Sequence, residues 1–146
     1  MNPSEREARA EALFVSGRNC SQSVFCAYAG DFGMDDSTAA KVSCGLGGGV
    51  GRMREVCGAV TGATLVLGMK YGEDKAVVYP HVQEFCRRFA EETGSIVCRE
   101  LLAGPSHAPV QTGGAPEART EAYYKKRPCV ELVKLAVRIL EAMLAG

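Results

Sequence analysis

Residues 54–71, Arg-Glu-Val-Cys-Gly-Ala-Val-Thr-Gly-Ala-Thr-Leu-Val-Leu-Gly-Met-Lys-Tyr, limit the architecture of this chain more than any other stretch. The segment reads as a helix, yet glycine inside a helix costs about 1 kcal/mol relative to alanine. Gly58 and Gly62, with Ala59 and Ala63 beside them, give it one small face. Close approach of a second helix offsets the cost, and that approach draws other helix starts toward Cys57. The cysteine at the head of this segment is then either a small residue in a tight contact or a thiol held for chemistry.

Helical periodicity dominates the rest of the chain, and few runs alternate as strands do. A first helix is expected from about Ser4 to Val15. Asn19 and Gln22 read as a capping box opening a second helix, whose apolar side is Val24, Phe25, Tyr28 and Phe32. Asp36 or Ser37 caps a short third helix ending near Cys44. Gly45-Leu-Gly-Gly-Gly-Val-Gly51 must be a loop, and it has neither the preceding strand nor the lysine of a phosphate-binding loop. Helices follow over about 54–71, 73–92 with Pro80 kinking or splitting it, and 96–103. A proline- and glycine-rich loop spans 104–120. Pro128 suits the first turn of a last helix with the stripe Val130, Val133, Val137, Leu140 and Leu144. The expectation is an all-α, compact bundle of about six helices in one domain, 1–146.

Composition narrows the function classes. Lys plus Arg and Asp plus Glu balance at 17 each, so no charge excess points to nucleic acid or a membrane surface. Without Trp, and with five Tyr and five Phe, a base-stacking surface is poorly supplied. The charged N-terminus does not read as a signal peptide, and no apolar run is long enough to span a bilayer. A cytoplasmic protein is expected.

Seven cysteines are many for such a chain. The odd count and the absence of any CxxC argue against a full disulfide framework, a zinc ribbon or a thioredoxin-type motif. The predicted helices split the cysteines into two groups. Cys26, Cys44 and Cys86 fall inside helices or near a helix end and read as small buried hydrophobes. Cys20, Cys57, Cys98 and Cys129 fall at helix starts, where the partial positive charge and free N–H groups favour thiolate. Cations stand beside each of these four in sequence: Arg18, Arg52, Arg54, Arg99, and the run Lys125-Lys126-Arg127. His81 and His107 are isolated and earn no ligand role. Glu55 and Glu100 read as solvated carboxylates.

Asn19-Cys20, Cys57-Gly-Ala-Val-Thr-Gly62, Cys98-Arg-Glu-Leu101 and Pro128-Cys129 together resemble the pattern of the C_GCAxxG_C_C family of redox-active proteins. Gly47-Gly-Gly49 and Ser95-Ile-Val-Cys98 extend the resemblance, which covers about Arg18 to Leu144. Carried over residue by residue, the family's four cysteines fall on Cys20, Cys57, Cys98 and Cys129. Relatives with selenocysteine at the first position imply that Cys20 is the attacking or redox-sensing atom. The family is also similar to a domain of certain multi-centre cytochromes in which an iron–sulfur centre has been suspected, although their haem-attachment motif is missing here. The 104–120 loop looks larger than is usual for the family.

The leading expectation is a thiol redox protein without a cofactor. In it Cys20 attacks an oxidised sulfur or other electrophile, and Cys57 or Cys129 resolves the mixed species. The alternative is an iron–sulfur or zinc protein using Cys20, Cys57, Cys98 and Cys129 as ligands. A third reading is a helical interaction module with no thiol chemistry. The expected partner is a redox protein or a small thiol or electrophile. Whether the chain is an enzyme, and whether it forms a homo-oligomer, stays open at this level.

Overall fold

The computed structural model describes residues 1–146, the side chain of Lys126 excepted. Eight helices form the chain: α1 (Pro3–Val15), α2 (Cys20–Ala29), α3 (Asp36–Cys44), α4 (Gly58–Tyr71), α5 (Lys75–Thr93), α6 (Cys98–Ala103), α7 (Glu121–Lys126) and α8 (Cys129–Ala145). The all-α expectation holds, but about six helices was too few. The short α7 is one that the sequence reading passed over. It is capped by Thr120, whose side chain accepts from the amide of Tyr123. Among the described residues the only extended pairing is an isolated antiparallel bridge between Val56 and Val97.

The hub is α2. All of its residues except Gln22 are buried, and it packs against α1, α3, α4 and α8. Its partner α4 approaches through the small face. A Cβ on Gly62 would lie 2.7 Å from the Ser21 carbonyl oxygen, and one on Gly58 would lie 3.1 Å from Cys20 Cβ. The first separation is too short for any side chain and the second is tighter than most Cβ contacts, so the two glycines admit the start of α2 against α4. Phe25, Val60, Phe85, Phe89, Val137 and Leu140 fill the centre behind this contact. Helix α8 buries Leu132, Val133, Ala136, Val137, Ile139 and Leu140, which contains the middle of the expected stripe.

Several boundaries differ from expectation for local reasons. Helix α4 begins at Gly58 rather than near residue 54, because residues 55–57 run extended beside residues 96–98. Pro80 does not split α5, which runs continuously from Lys75 to Thr93. The proline lies near the helix start and removes only one early hydrogen bond. Asp35, one residue before the expected cap, closes the N-terminus of α3 on the Thr38 amide. Gly68 differs from Gly58 and Gly62: a Cβ there would meet nothing within 4 Å. Gly68→Ala should therefore stabilise the protein by up to about 1 kcal/mol, read as a higher denaturant midpoint. A lower midpoint would mean that this side of α4 has a close neighbour after all.

Candidate functional site

Each of the four helix-start cysteines sits where the sequence placed it. Cys20, Cys98 and Cys129 are the first residues of α2, α6 and α8, and Cys57 is the N-cap of α4. All four line one small cavity of about 60 Å³. All seven thiols of the chain are free.

Three local devices bring these helix starts together. The first is the Asn19 cap. Its Oδ1 accepts from the Gln22 amide at 2.9 Å and Gln22 Oε1 accepts from the Asn19 amide at 3.0 Å, so the capping box forms as read. Asn19 Nδ2 also donates to the Cys44 carbonyl at 2.9 Å, which ties the start of α2 to the end of α3. The second is the Val56–Val97 bridge. Cys57 N–H donates to Ile96 O at 2.8 Å, and Cys98 N–H donates to Glu55 O at 2.6 Å. This pairing sets Cys57 and Cys98 side by side. The third is the glycine turn 45–51. Gly49 has φ +71°, and a Cβ on it would stand 2.6 Å from the Glu55 amide nitrogen and 2.7 Å from Cys98 Cβ.

From the end of that turn onward the backbone is left-handed at three non-glycine residues, Val50, Arg52 and Arg54. Each such residue costs about 1–2 kcal/mol, an outlay found mostly at functional sites. Here it turns Arg54 inward. Arg54 is only 5% exposed, its Nε donates to Gln111 O at 2.9 Å, and its Nη1 reaches Cys98 Sγ at 3.9 Å.

The 104–120 loop is largely exposed, and it is fastened over the site at two points. Gly113 N–H donates to Arg52 O at 2.8 Å, and Arg52 Nε donates to Gly113 O at 3.0 Å. At the far end Arg119 donates to the carbonyls of Phe14 and Arg18, both at 2.9 Å. Its guanidinium lies over the Phe14 ring at 4.3 Å and the Tyr123 ring at 5.0 Å. Outside the thiol cavity lies a larger antechamber of about 270 Å³. The two share Asn19, Gly48, Arg54, Arg119, Tyr123 and Arg127 as walls.

Burial and charge set the four thiols apart. Helix starts were expected to favour thiolate at every one, but burial outweighs that effect at three. Burial pushes Cys57 up to about 12 against the opposing amides of Ala59 and Val60. Burial also raises Cys98, although Arg54 pulls the other way. Cys20 lies well above the ordinary thiol range, through its hydrogen bond to Cys129 and then its burial. Cys129 alone is lowered, to about 7. The Cys20 hydrogen bond is the chief cause, aided by the Arg127 and Arg119 charges and a hydrogen bond from Tyr123. Tyr123 itself is pushed up to about 12 by burial and then by Cys129, so its hydroxyl keeps the proton it donates. Negative charge is thus favoured on Cys129, the sulfur that faces the cations, over Cys20.

The sequence assigned the neighbours only in part. Arg127 acts on Cys129 as expected. Arg18 instead pairs with Asp36 at 2.6 Å, and Arg99 with Glu55 at 2.9 Å. Lys125 pairs with Glu121 at 3.6 Å, while the side chain of Lys126 lies outside the described residues. Cys26 is buried and Cys86 half-buried, as read. Cys44 corrects the expectation: it is exposed and lies on the antechamber wall. His81 stacks on Tyr71 at 3.7 Å, and His107 is exposed. Arg119 and Tyr123 escaped the sequence reading. The aromatic and basic residues just before Pro128 were the one signal that could have found them.

An iron–sulfur cluster or zinc ion needs three or four ligands converging on one point. Among the described residues no group of three or more His, Cys, Asp or Glu side chains is arranged to hold a metal ion. The cysteines share a cavity, but as arranged they do not form that ligand set.

The family model described as "Putative redox-active protein (C_GCAxxG_C_C)" matches residues 18–143. The chain belongs to this family. The description fits a general redox role. In the central motif Cys57 precedes Gly58, the reverse of the order in the family's name, which sets the sulfur on the N-cap and the glycine against Cys20. No curated protein and no solved structure matches the chain. No helix among the described residues is long and apolar enough to cross a membrane.

Proposed function

We propose that this family member is a thiol–disulfide exchange protein whose working pair is Cys129 and Cys20. The observation that carries the reading is that Cys20 and Cys129, the first residues of α2 and α8, line one small cavity whose walls also hold Arg127, Arg119 and Tyr123. The resemblance implied Cys20 as the attacking atom. Burial of Cys20 at 8% exposure and the half-buried position of Cys129 support the opposite order.

In this reading the Cys129 thiolate attacks one sulfur of a substrate disulfide. A Cys129–substrate S–S bond forms, the substrate S–S bond breaks, and the departing thiolate takes the Cys20 proton. The Cys20 thiolate then attacks Cys129 Sγ, forms the Cys20–Cys129 bond and expels the second substrate thiolate, which takes a proton from solvent. Two electrons pass from the protein to the substrate, and an external dithiol reverses the process. Cys57 and Cys98 stay neutral thiols near pH 7, because burial raises both. They accept a disulfide by exchange rather than start the attack.

One equivalent of a thiol oxidant, followed by peptide mass mapping, tests the pairing. The expected first bond is Cys20–Cys129. A first bond at Cys57–Cys98, or an intermolecular bond through the exposed Cys44, would remove this pair as the working centre. Stoichiometric iron or zinc in protein purified without oxygen would instead favour the ligand reading of the same four cysteines.

A further inference from the structure

We infer that the antechamber is a substrate subsite for a small disulfide bearing carboxylate or similar anionic groups. The inference rests on the exchange reading above and adds a ligand class to it.

The walls supply the reason. Arg52, Arg54, Arg119 and Arg127 line the antechamber, and Glu117 is the one carboxylate among its lining residues. Several arginines elsewhere are neutralised by acids: Arg6 by Asp31 at 2.5 Å, Arg18 by Asp36 at 2.6 Å and Arg99 by Glu55 at 2.9 Å. In the antechamber only Arg127 is so paired among the described residues, with Glu117 at 2.6 Å. The other three are held by backbone carbonyls, which orient a guanidinium without cancelling its charge. Arg52 donates to Gly113 at 3.0 Å, Arg54 to Gln111 at 2.9 Å, and Arg119 to Phe14 and Arg18 at 2.9 Å. Fixed guanidinium groups without a carboxylate partner in a concave site concentrate anions and bind carboxylates in a two-pronged manner. At about 270 Å³ the space suits a small molecule and not a disulfide embedded in a folded protein. The walls shared with the thiol cavity carry the bound sulfurs toward Cys129.

Three small disulfides of similar length separate charge from reactivity: dithiodipropionate (anionic), hydroxyethyl disulfide (neutral) and cystamine (cationic). Oxidation of the reduced protein should be about tenfold faster with the anionic than with the cationic one, and added salt should shrink the difference. Arg52→Gln should cut the preference and Arg52→Lys should retain most of it. Equal rates, or a faster reaction with cystamine, would overturn the inference. Suberate, the unreactive carbon counterpart of dithiodipropionate, reads the subsite without thiol chemistry. Calorimetry should detect its binding and a loss of about tenfold in Arg52→Gln. Absence of suberate binding sinks the subsite whatever the rates. If suberate binds while no disulfide oxidises the protein, the exchange reading fails and the anion subsite stands.

Discussion

Cys129→Ser, made in a Cys44→Ser background, should slow alkylation of the reduced protein at pH 7 by roughly tenfold or more. At that pH a thiol lowered to about 7 is about half ionised, whereas Cys20, Cys57 and Cys98 are raised and stay protonated. Removing exposed Cys44 leaves Cys129 as the dominant fast site. The rate of the intact site should rise with pH and level off above about 7, because the thiolate is the reacting form. Arg127→Gln should move this profile toward higher pH, since the lost cation stabilises only the anion. Tyr123→Phe should move it the same way by removing a hydrogen bond to the thiolate. A general loss of packing would instead speed the other buried thiols and broaden the profile. An unmoved midpoint in both variants would refute the placing of charge on Cys129.

The largest expected effect on stability is at Gly49. Gly49→Ala puts a methyl 2.6 Å from the Glu55 amide nitrogen and 2.7 Å from both Arg54 Cα and Cys98 Cβ. Two of those three atoms are backbone, so no rotamer change relieves the clash. The position also has φ +71°, which disfavours any side chain. Overpacking and the left-handed backbone together give a cost of about 3 kcal/mol, measurable by denaturant titration. The same methyl pushes the Val56–Val97 pairing away from the turn, so the Cys129 profile should broaden as the cavity loosens. A variant within 0.5 kcal/mol of the parent would show that the turn gives way easily, contrary to the usual cost of overpacking.

How legible the molecule was depended on the range of the forces involved. The helix starts at Cys20 and Cys129 were readable because Asn19, Gln22 and Pro128 act within one turn. The tight α2–α4 contact was readable because interior glycines need a partner. The extended run before α4 was not, because residues 55–57 take their hydrogen bonds from residues 96–98, about forty positions away in sequence. Arg119 was hidden for the same reason: it reaches carbonyls of residues 14 and 18. The electrostatic ordering of the four thiols lay furthest out of reach. A helix start favours thiolate locally, but the depth of burial decides, and depth is a property of the packed whole. Cys44 was misread because an apolar residue type near a helix end says nothing of which way that end faces.

The contact between residue 20 and residue 129 has one more consequence. A bond there would close a loop around most of the chain, from the second helix to the last. In the unfolded chain such a closure removes conformational freedom worth about 4–5 kcal/mol on a chain-entropy estimate. By linkage, bridging is more favourable in the folded protein than in the unfolded chain by that same amount. Each turnover of the pair would then raise and lower the stability of the whole fold by way of its unfolded state, so the electron count on two sulfurs would be written into how firmly the chain stays folded.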